Sequence, residues 1–277
     1  DLANTSVGTG TFAIAPATGS VGIVDLNWGL LYVDPSYLPG GQTYTVTYTF
    51  QGPPNCAPVN GTYTFSVPAV QSVNAITSQT VCSGSTVSAT NFTTTPSGGA
   101  YNWANNNTAV GVGASGTTNI ASYTAPTVTA TTVGVFTITP TLSGCVGTSR
   151  NFSITINPRP TPSISSTSTL CLGSSLTFTG SGASTYAWTG TAGNGLSGST
   201  GTNITATPTA TGSITYTTTA TSAAGCTNTA VRTITVNPIP IANAGTSTSL
   251  TCSTRTIGLS GSGGGTYSWS GPGITSG

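Results

Sequence analysis

The stretch Thr43-Tyr44-Thr45-Val46-Thr47-Tyr48-Thr49-Phe50 alternates without a break. Tyr44, Val46, Tyr48 and Phe50 fall on one side of a two-residue period, and four threonines fall on the other. In an extended chain successive side chains point to opposite faces, so this segment reads as a β-strand with one face in a core and one in water. The pattern returns at Tyr63, Phe65 and Val67, after Asn60-Gly61, a pair that commonly marks a hairpin turn. It returns again at Phe152, Ile154 and Ile156, and at Ile234 and Val236. β-Branched residues favour this state. With 37 Gly and 17 Pro, the chain is interrupted too often for helices of ordinary length. The expected class is all-β, with β-sandwich domains in tandem.

The strands belong to a repeat. Val81-Cys82-Ser83-Gly84-Ser85 is followed by Tyr101-Asn102-Trp103, then Gly144-Cys145, then Ile154-Thr155-Ile156-Asn157-Pro158. The same order appears in Leu170-Cys171-Leu172-Gly173-Ser174, Tyr186-Ala187-Trp188, Gly225-Cys226 and Ile234-Thr235-Val236-Asn237-Pro238. A further copy opens at Thr251-Cys252-Ser253 and reaches Tyr267-Ser268-Trp269. Residues before Pro68 hold the end of a copy, with Cys56 in the place of Cys145 and Cys226. Four segments follow from this alignment: 1–69, an incomplete domain lacking its first strands; 70–158 and 159–239, two full domains; and 240–277, the first half of another. The segment therefore reads as a window on a longer polymer of domains. The joints at Asn157-Pro158-Arg159-Pro160-Thr161-Pro162 and Asn237-Pro238-Ile239-Pro240 are proline-rich, which holds them extended and stiff.

Chemistry is scarce. Of 277 residues, four are Arg and three are Asp; Lys, Glu and His do not occur. Ser and Thr together make up roughly a third of the chain. The usual general bases are missing, and a Ser-His-Asp or Cys-His nucleophile cannot be built. Zinc sites using His and isopeptide bonds using Lys are excluded as well. Asp1, Asp25 and Asp34 form no cluster, whereas calcium takes six to eight oxygens, usually from several carboxylates. No enzyme, no cofactor and no metal site are expected. A net charge of +1 supplies no field for nucleic acid or anionic lipid. No apolar run reaches the 18–20 residues of a membrane-spanning helix.

Six cysteines without histidine point to disulfides, and so to an oxidising, extracytoplasmic compartment. The repeat alignment predicts Cys82–Cys145 and Cys171–Cys226, each within one domain and each stapling one pole of its sandwich. Cys56 and Cys252 are left over. One reading gives them partners in flanking chain; the sharper one pairs them head to tail between copies, each half-domain completing the other. Trp103, Trp188 and Trp269 hold one fixed place in each copy and are expected in the core.

At these residues the sequence resembles a known family. The Tyr-x-Trp signature at Tyr101–Trp103, Tyr186–Trp188 and Tyr267–Trp269 resembles the third strand of PKD domains. So do the strands that follow a glycine, at Gly134-Val135-Phe136-Thr137-Ile138, Gly212-Ser213-Ile214-Thr215-Tyr216 and Gly41-Gln42-Thr43-Tyr44-Thr45-Val46. The cysteine openings and the Gly-Cys before the last strand look like the Ig-like and PKD-like repeats of giant surface proteins of gliding Gram-negative bacteria, cargo of the type IX secretion system that includes gliding-motility adhesins. The resemblance implies tandem Ig-like/PKD-like sandwiches on a cell surface. Typical PKD repeats follow the tryptophan with an Asp-containing Phe-Gly-Asp turn; Ala104-Asn105, Thr189-Gly190 and Ser270-Gly271 stand there instead.

The function expected first is structural: a stiff, disulfide-stapled spacer in an extracellular adhesin, appendage or filament. Its partners would be other copies of itself or flanking domains of the same chain, since no Lys guards the strand edges. The alternative is a module that binds carbohydrate or an abiotic surface through exposed loop aromatics, with Trp28, Tyr32 and Tyr37 as the platform.

Overall fold

Alternation makes the strands, and hydrogen-bonding direction decides how they assemble. The computed structural model describes residues 9–16, 38–52 and 54–274. Among them the helical element is a short 3-10 turn, Thr108–Val110; the rest is strand and connection. The chain divides into two units, Asp1–Pro158 and Arg159–Gly277.

The first unit opens with a three-stranded antiparallel sheet of Thr9–Ala15, Gln42–Gln51 and Val59–Val67 in sequence order. The alternating strand is central. Its Tyr44 and Val46 are buried; the Tyr44 hydroxyl donates to the Pro39 carbonyl at 2.9 Å, and its ring stacks on Phe65 at 5.7 Å. Asn60 and Gly61 are not a turn: they sit within the last strand, opposite Thr49 and Tyr48. The chain reverses between Gln51 and Val59, where Asn55 takes a φ of 78°. Asn tolerates this left-handed conformation better than most residues.

The second part of this unit is a sandwich. Its larger sheet runs in the order Gln79–Cys82, Arg150–Asn157, Thr132–Leu142, Ala100–Asn105, Ser115–Gly116, with Cys145–Val146 folding back onto Thr132–Leu142. Gln79–Cys82 pairs parallel to Arg150–Asn157; the remaining pairs are antiparallel. Facing it are two short ladders, Ser72–Val73 with Thr94–Thr95 and Thr86–Val87 with Tyr123–Thr124. In Thr132–Leu142 the inward positions are Gly134, Phe136, Ile138 and Pro140, and all four are buried. Phe136 stacks on Phe152 at 4.8 Å and meets the edge of Trp103 at 5.8 Å. Gly134 must stay small, because a Cβ there would come within 2.7 Å of Val110 in the 3-10 turn.

The second unit repeats the plan. A four-stranded sheet runs Thr169–Cys171, Thr227–Asn237, Gly212–Thr221, Thr185–Gly190; a three-stranded sheet runs Ser163–Ser165, Leu176–Ser181, Asn203–Ala206. The cysteine strand is again parallel to the last long strand. Phe178 packs on Tyr216 at 4.3 Å and on Trp188 at 5.9 Å within the core. The chain is thus all-β, with β-sandwiches in tandem.

Residues 240–274 differ. They carry a single bridge, Asn243 to Ser262, and no longer ladder. Trp269, expected in a core, is 39% exposed, and Tyr267 beside it is 52% exposed. The physical reason is that Trp103 and Trp188 are covered by two long paired strands, and residues 240–274 contain no counterpart of either.

Candidate functional site

Each sandwich has a leading pole, where the chain comes in, and a trailing pole, where it leaves. In the second repeat the leading pole lies where the Thr148 amide donates to the Gln71 carbonyl. In the third it lies where Asn228 Nδ2 donates to the Pro160 carbonyl at 3.0 Å and Arg159 donates to the Thr227 carbonyl at 2.7 Å. The trailing poles lie at Asn157 and Asn237, each followed by proline.

Local sequence places one cysteine at each pole. The opening Cys-x-Gly-Ser folds into a tight turn in both repeats. Ser85 and Ser174 donate backbone amides to the carbonyls of Cys82 and Cys171 at 3.0 Å, with Gly84 and Gly173 at φ 74° and 79°. Parallel pairing sets Cys82 opposite Asn157 and Cys171 opposite Asn237. The backbone amides of Ser83 and Leu172 then bond those same asparagine carbonyls at 2.9 and 2.8 Å. Both opening cysteines therefore stand at trailing poles. Cys145 closes a two-residue hairpin from Leu142, with Ser143 and Gly144 at φ 49° and 82°. Both central residues of this hairpin are thus left-handed, as the tight primed turns require. Cys226 ends the equivalent loop, where Ser222 donates to the Cys226 carbonyl at 2.9 Å. Both lie at leading poles.

This placement overturns the expected pairs Cys82–Cys145 and Cys171–Cys226. Arg150–Asn157 separates the two cysteines of the second repeat by about 23 Å of strand, and Thr227–Asn237 separates those of the third by about 33 Å. A disulfide needs Cα atoms within about 7 Å. Cys82 and Cys226 are each disulfide-bonded; Cys56, Cys145, Cys171 and Cys252 carry free thiols.

Amide side chains hold the loops behind the tryptophans. Asn105 is buried; its Nδ2 donates to the Val112 and Gly113 carbonyls, and its Oδ1 accepts from the Asn107 amide. Asn106 and Asn107 add bonds to the Val135 amide and the Val133 carbonyl. In the third repeat Asn194 does the same work, donating to Gly190 and Thr191 and accepting from Leu196. Neutral amides thus bind both donors and acceptors of the loop without a charge to desolvate. The sequence signal for these caps is Asn105-Asn106-Asn107 after Trp103 and Asn194 after Trp188.

Trp103 and Trp188 are 7% and 2% exposed. Their indole N–H groups donate to the carbonyls of Thr118 and Gly201, both at 2.8 Å. This leaves neither ring free to receive a ligand. Tyr123 and Tyr216 are held likewise, their hydroxyls donating to the Val110 carbonyl at 2.7 Å and the Asn194 carbonyl at 2.5 Å. Burial pushes both phenols above their usual pKa.

The outward faces are threonine. In the third repeat the exposed rows run Thr185, Thr221, Thr227; then Ala187, Thr219, Thr229; then Thr189, Thr217, Val231; then Thr215 and Thr233. Hydroxyls bond across the ladder, as at Thr215 with Thr233 at 3.1 Å and Thr43 with Ser66 at 2.8 Å. Such faces offer hydroxyls and methyls; the one charged side chain on these strands, Arg232, stands opposite Tyr216 on the other face and donates to the Ser166 carbonyl at 3.0 Å.

Among the described residues no three His, Cys, Asp or Glu side chains come together to hold a metal. No helix among them is long and apolar enough to cross a membrane. Trp28, Tyr32 and Tyr37 lie outside the described residues, as do the three aspartates. Described aromatics that face solvent include Tyr63, Tyr267 and Trp269; the last two rim a shallow depression of about 210 Å³ with Asn243 and Ser262.

The comparisons agree with the sandwich plan over its second repeat. The model of the PKD-like domain family matches residues 79–160. No curated protein matches the chain by sequence. Among solved structures, the extracellular cadherin domains 1–4 of protocadherin gamma B7 share 11% identity, with a TM-score of 0.35, over 82% of this chain and 66% of that one. The cadherin domains 3–6 of the same protein give 12% and a TM-score of 0.37, over 82% and 68%. The insect immune protein hemolin gives 12% and 0.31, over 84% and 68%. The chain spans about two thirds of each, and TM-scores below 0.5 carry no argument. What stands, from the family match and from the strand order itself, is an Ig-like/PKD-like β-sandwich repeat.

Proposed function

We propose that this chain is a structural spacer, a segment of an extracellular adhesin, appendage or filament built by repeating one sandwich. Its divisions are 1–69, 70–158, 159–239 and 240–277, joined by proline-rich links. The observation that supports it most is the duplication. The two full repeats use the same parallel cysteine strand, the same tryptophan bonded to a loop carbonyl and the same amide-capped loop. Polar side chains serve packing, and the outer faces are uncharged hydroxyl lattices. Linear arrays of this kind transmit length and cohesion through neighbour contacts. Copies would associate through their threonine faces and strand edges, by hydrogen bonding and burial rather than by charge.

Electron microscopy and scattering of the purified chain test this. The expected result is an elongated particle whose lateral association stays the same between about 50 mM and about 1 M salt, because few charges are present to be screened. A compact particle, or association that dissolves in high salt, rejects it. A second reading rests on Tyr267 and Trp269, since exposed aromatics lining one depression suit a sugar face. Binding on a glycan array that is lost in Trp269→Ala would favour that reading.

A further inference from the structure

Most sheet edges in this chain are short. Among the described residues, the outer strands of the two full repeats run from two residues, as in Ser115–Gly116, to six, in Thr185–Gly190. Short edges offer little for another chain to pair with. The sheet before Pro68 departs from this. Its order is Thr9–Ala15, Gln42–Gln51, Val59–Val67, so Val59–Val67 is an outer strand of nine residues. Gln42–Gln51 is its one ladder partner among the described residues. Residues 59–64 are all exposed, Val59 at 68% and Tyr63 at 70%. Lysine, proline and charge of either sign, which ordinarily guard an edge, are absent from 59–67. The register against Gln42–Gln51 runs one to one throughout, so no bulge twists the edge away.

The strand is also complementary to itself. When it is laid antiparallel to a second copy with Tyr63 opposite Tyr63, Val59 meets Val67, Asn60 meets Ser66, Gly61 meets Phe65 and Thr62 meets Thr64. Every pair joins two odd or two even positions. Side chains therefore keep their faces, and the backbone groups pointing away from Gln42–Gln51 on one copy meet those of the other. The even positions lie on the threonine face, where Thr43 Oγ1 and Ser66 Oγ are 2.8 Å apart. The odd positions lie on the aromatic face, where Tyr44 stacks on Phe65. Pairing extends both faces across the two copies. It puts an aromatic pair at the centre and a Phe65 ring beside each Gly61. Nothing lies within 4 Å of the Cβ position of Gly61, so that space is open to the ring. Sliding the register by one face-matched step in either direction leaves two residues of each strand unpaired.

We propose that Val59–Val67 is a dimer edge, which takes the same strand of a second copy antiparallel and centred on Tyr63. The contact is two-fold, so it consumes both edges and closes at two chains. A single nine-residue edge is a small interface, so the pair is reversible and favoured by high concentration. It gives a site to the lateral association of copies, and it rests on the spacer reading only for its place in a larger assembly.

Cysteine trapping tests this on the full chain with Cys56, Cys145, Cys171 and Cys252 replaced by Ser, which removes the free thiols. Tyr63→Cys sets two thiols opposite one another, with Cα atoms about 4.5–5.5 Å apart and so within disulfide reach. Val59→Cys sets its thiols about 27 Å apart, because each Val59 stands opposite Val67. Mild oxidation should give about tenfold more covalent dimer from Tyr63→Cys than from Val59→Cys. Mixing Val59→Cys with Val67→Cys should restore the dimer, in chains that keep the central tyrosines. Equal yields from Val59→Cys and Tyr63→Cys would mark parallel pairing or chance collision and overturn the proposal. So would the absence of dimer from both Tyr63→Cys and the mixture. A compact particle in the microscope with trapping intact would sink the spacer reading and leave the edge standing; an elongated particle without trapping would do the reverse.

Discussion

At the scale of single residues, tryptophan does the most. Trp103 and Trp188 each combine a buried ring with a satisfied N–H, so burial leaves no polar group unpaired. Replacing either with Ala leaves a cavity and an orphaned carbonyl, and should cost about 3–5 kcal/mol. Trp269→Ala should change stability by less than about 1 kcal/mol, because its ring has little packing to lose. Chemical denaturation of the three variants checks this; equal losses would mean that Trp269 is packed like the others.

At the scale of elements, hairpins and loops carry the strict requirements. Gly195 follows the Asn194 cap at φ 63°, and a Cβ there would lie 1.8 Å from the Thr207 carbonyl oxygen. Gly212 opens a long strand at φ 100° with nothing within 4 Å of its Cβ position. Gly195→Ala should therefore destabilise the third repeat by at least about 2 kcal/mol, and Gly212→Ala by about 1, from conformation alone. Thermal melts separate them, and a Gly195→Ala protein as stable as wild type would show that the loop can move aside. Much of this scale was legible beforehand. Period-two alternation marked Gln42–Gln51, Arg150–Asn157 and Thr227–Asn237 because a half-buried strand leaves that imprint directly. Asn60-Gly61 misled, since a turn signature says which conformations are cheap and not where the chain must reverse.

At the scale of the whole molecule, the shortage of charge becomes a property of the material. With no His, Lys or Glu, few groups titrate between about pH 5 and 8, and stability should be flat there. Tyr123 and Tyr216 hold their protons more tightly folded than unfolded. Their contribution is intact below the unfolded phenol value of about 10 and is lost as pH rises through the higher folded values. A stability profile should thus fall only in strong alkali, and Tyr216→Phe should soften that fall. A drop near neutral pH would contradict it.

The sequence by itself determined the strands, the repeat, the all-β class and the scarcity of chemistry. These are written in local periodicity and composition, which need no knowledge of neighbours. It could not determine how the cysteines are wired. Spacing along the chain placed Cys82 near the start of its repeat and Cys145 near the end, and said nothing about which pole each occupies. That depended on whether Gln79–Cys82 runs parallel or antiparallel to Arg150–Asn157. Strand direction is a property of the assembled sheet, set by where the chain crosses between layers. Once the pairing is parallel, the two cysteines of a repeat stand a strand's length apart, beyond the reach of a disulfide.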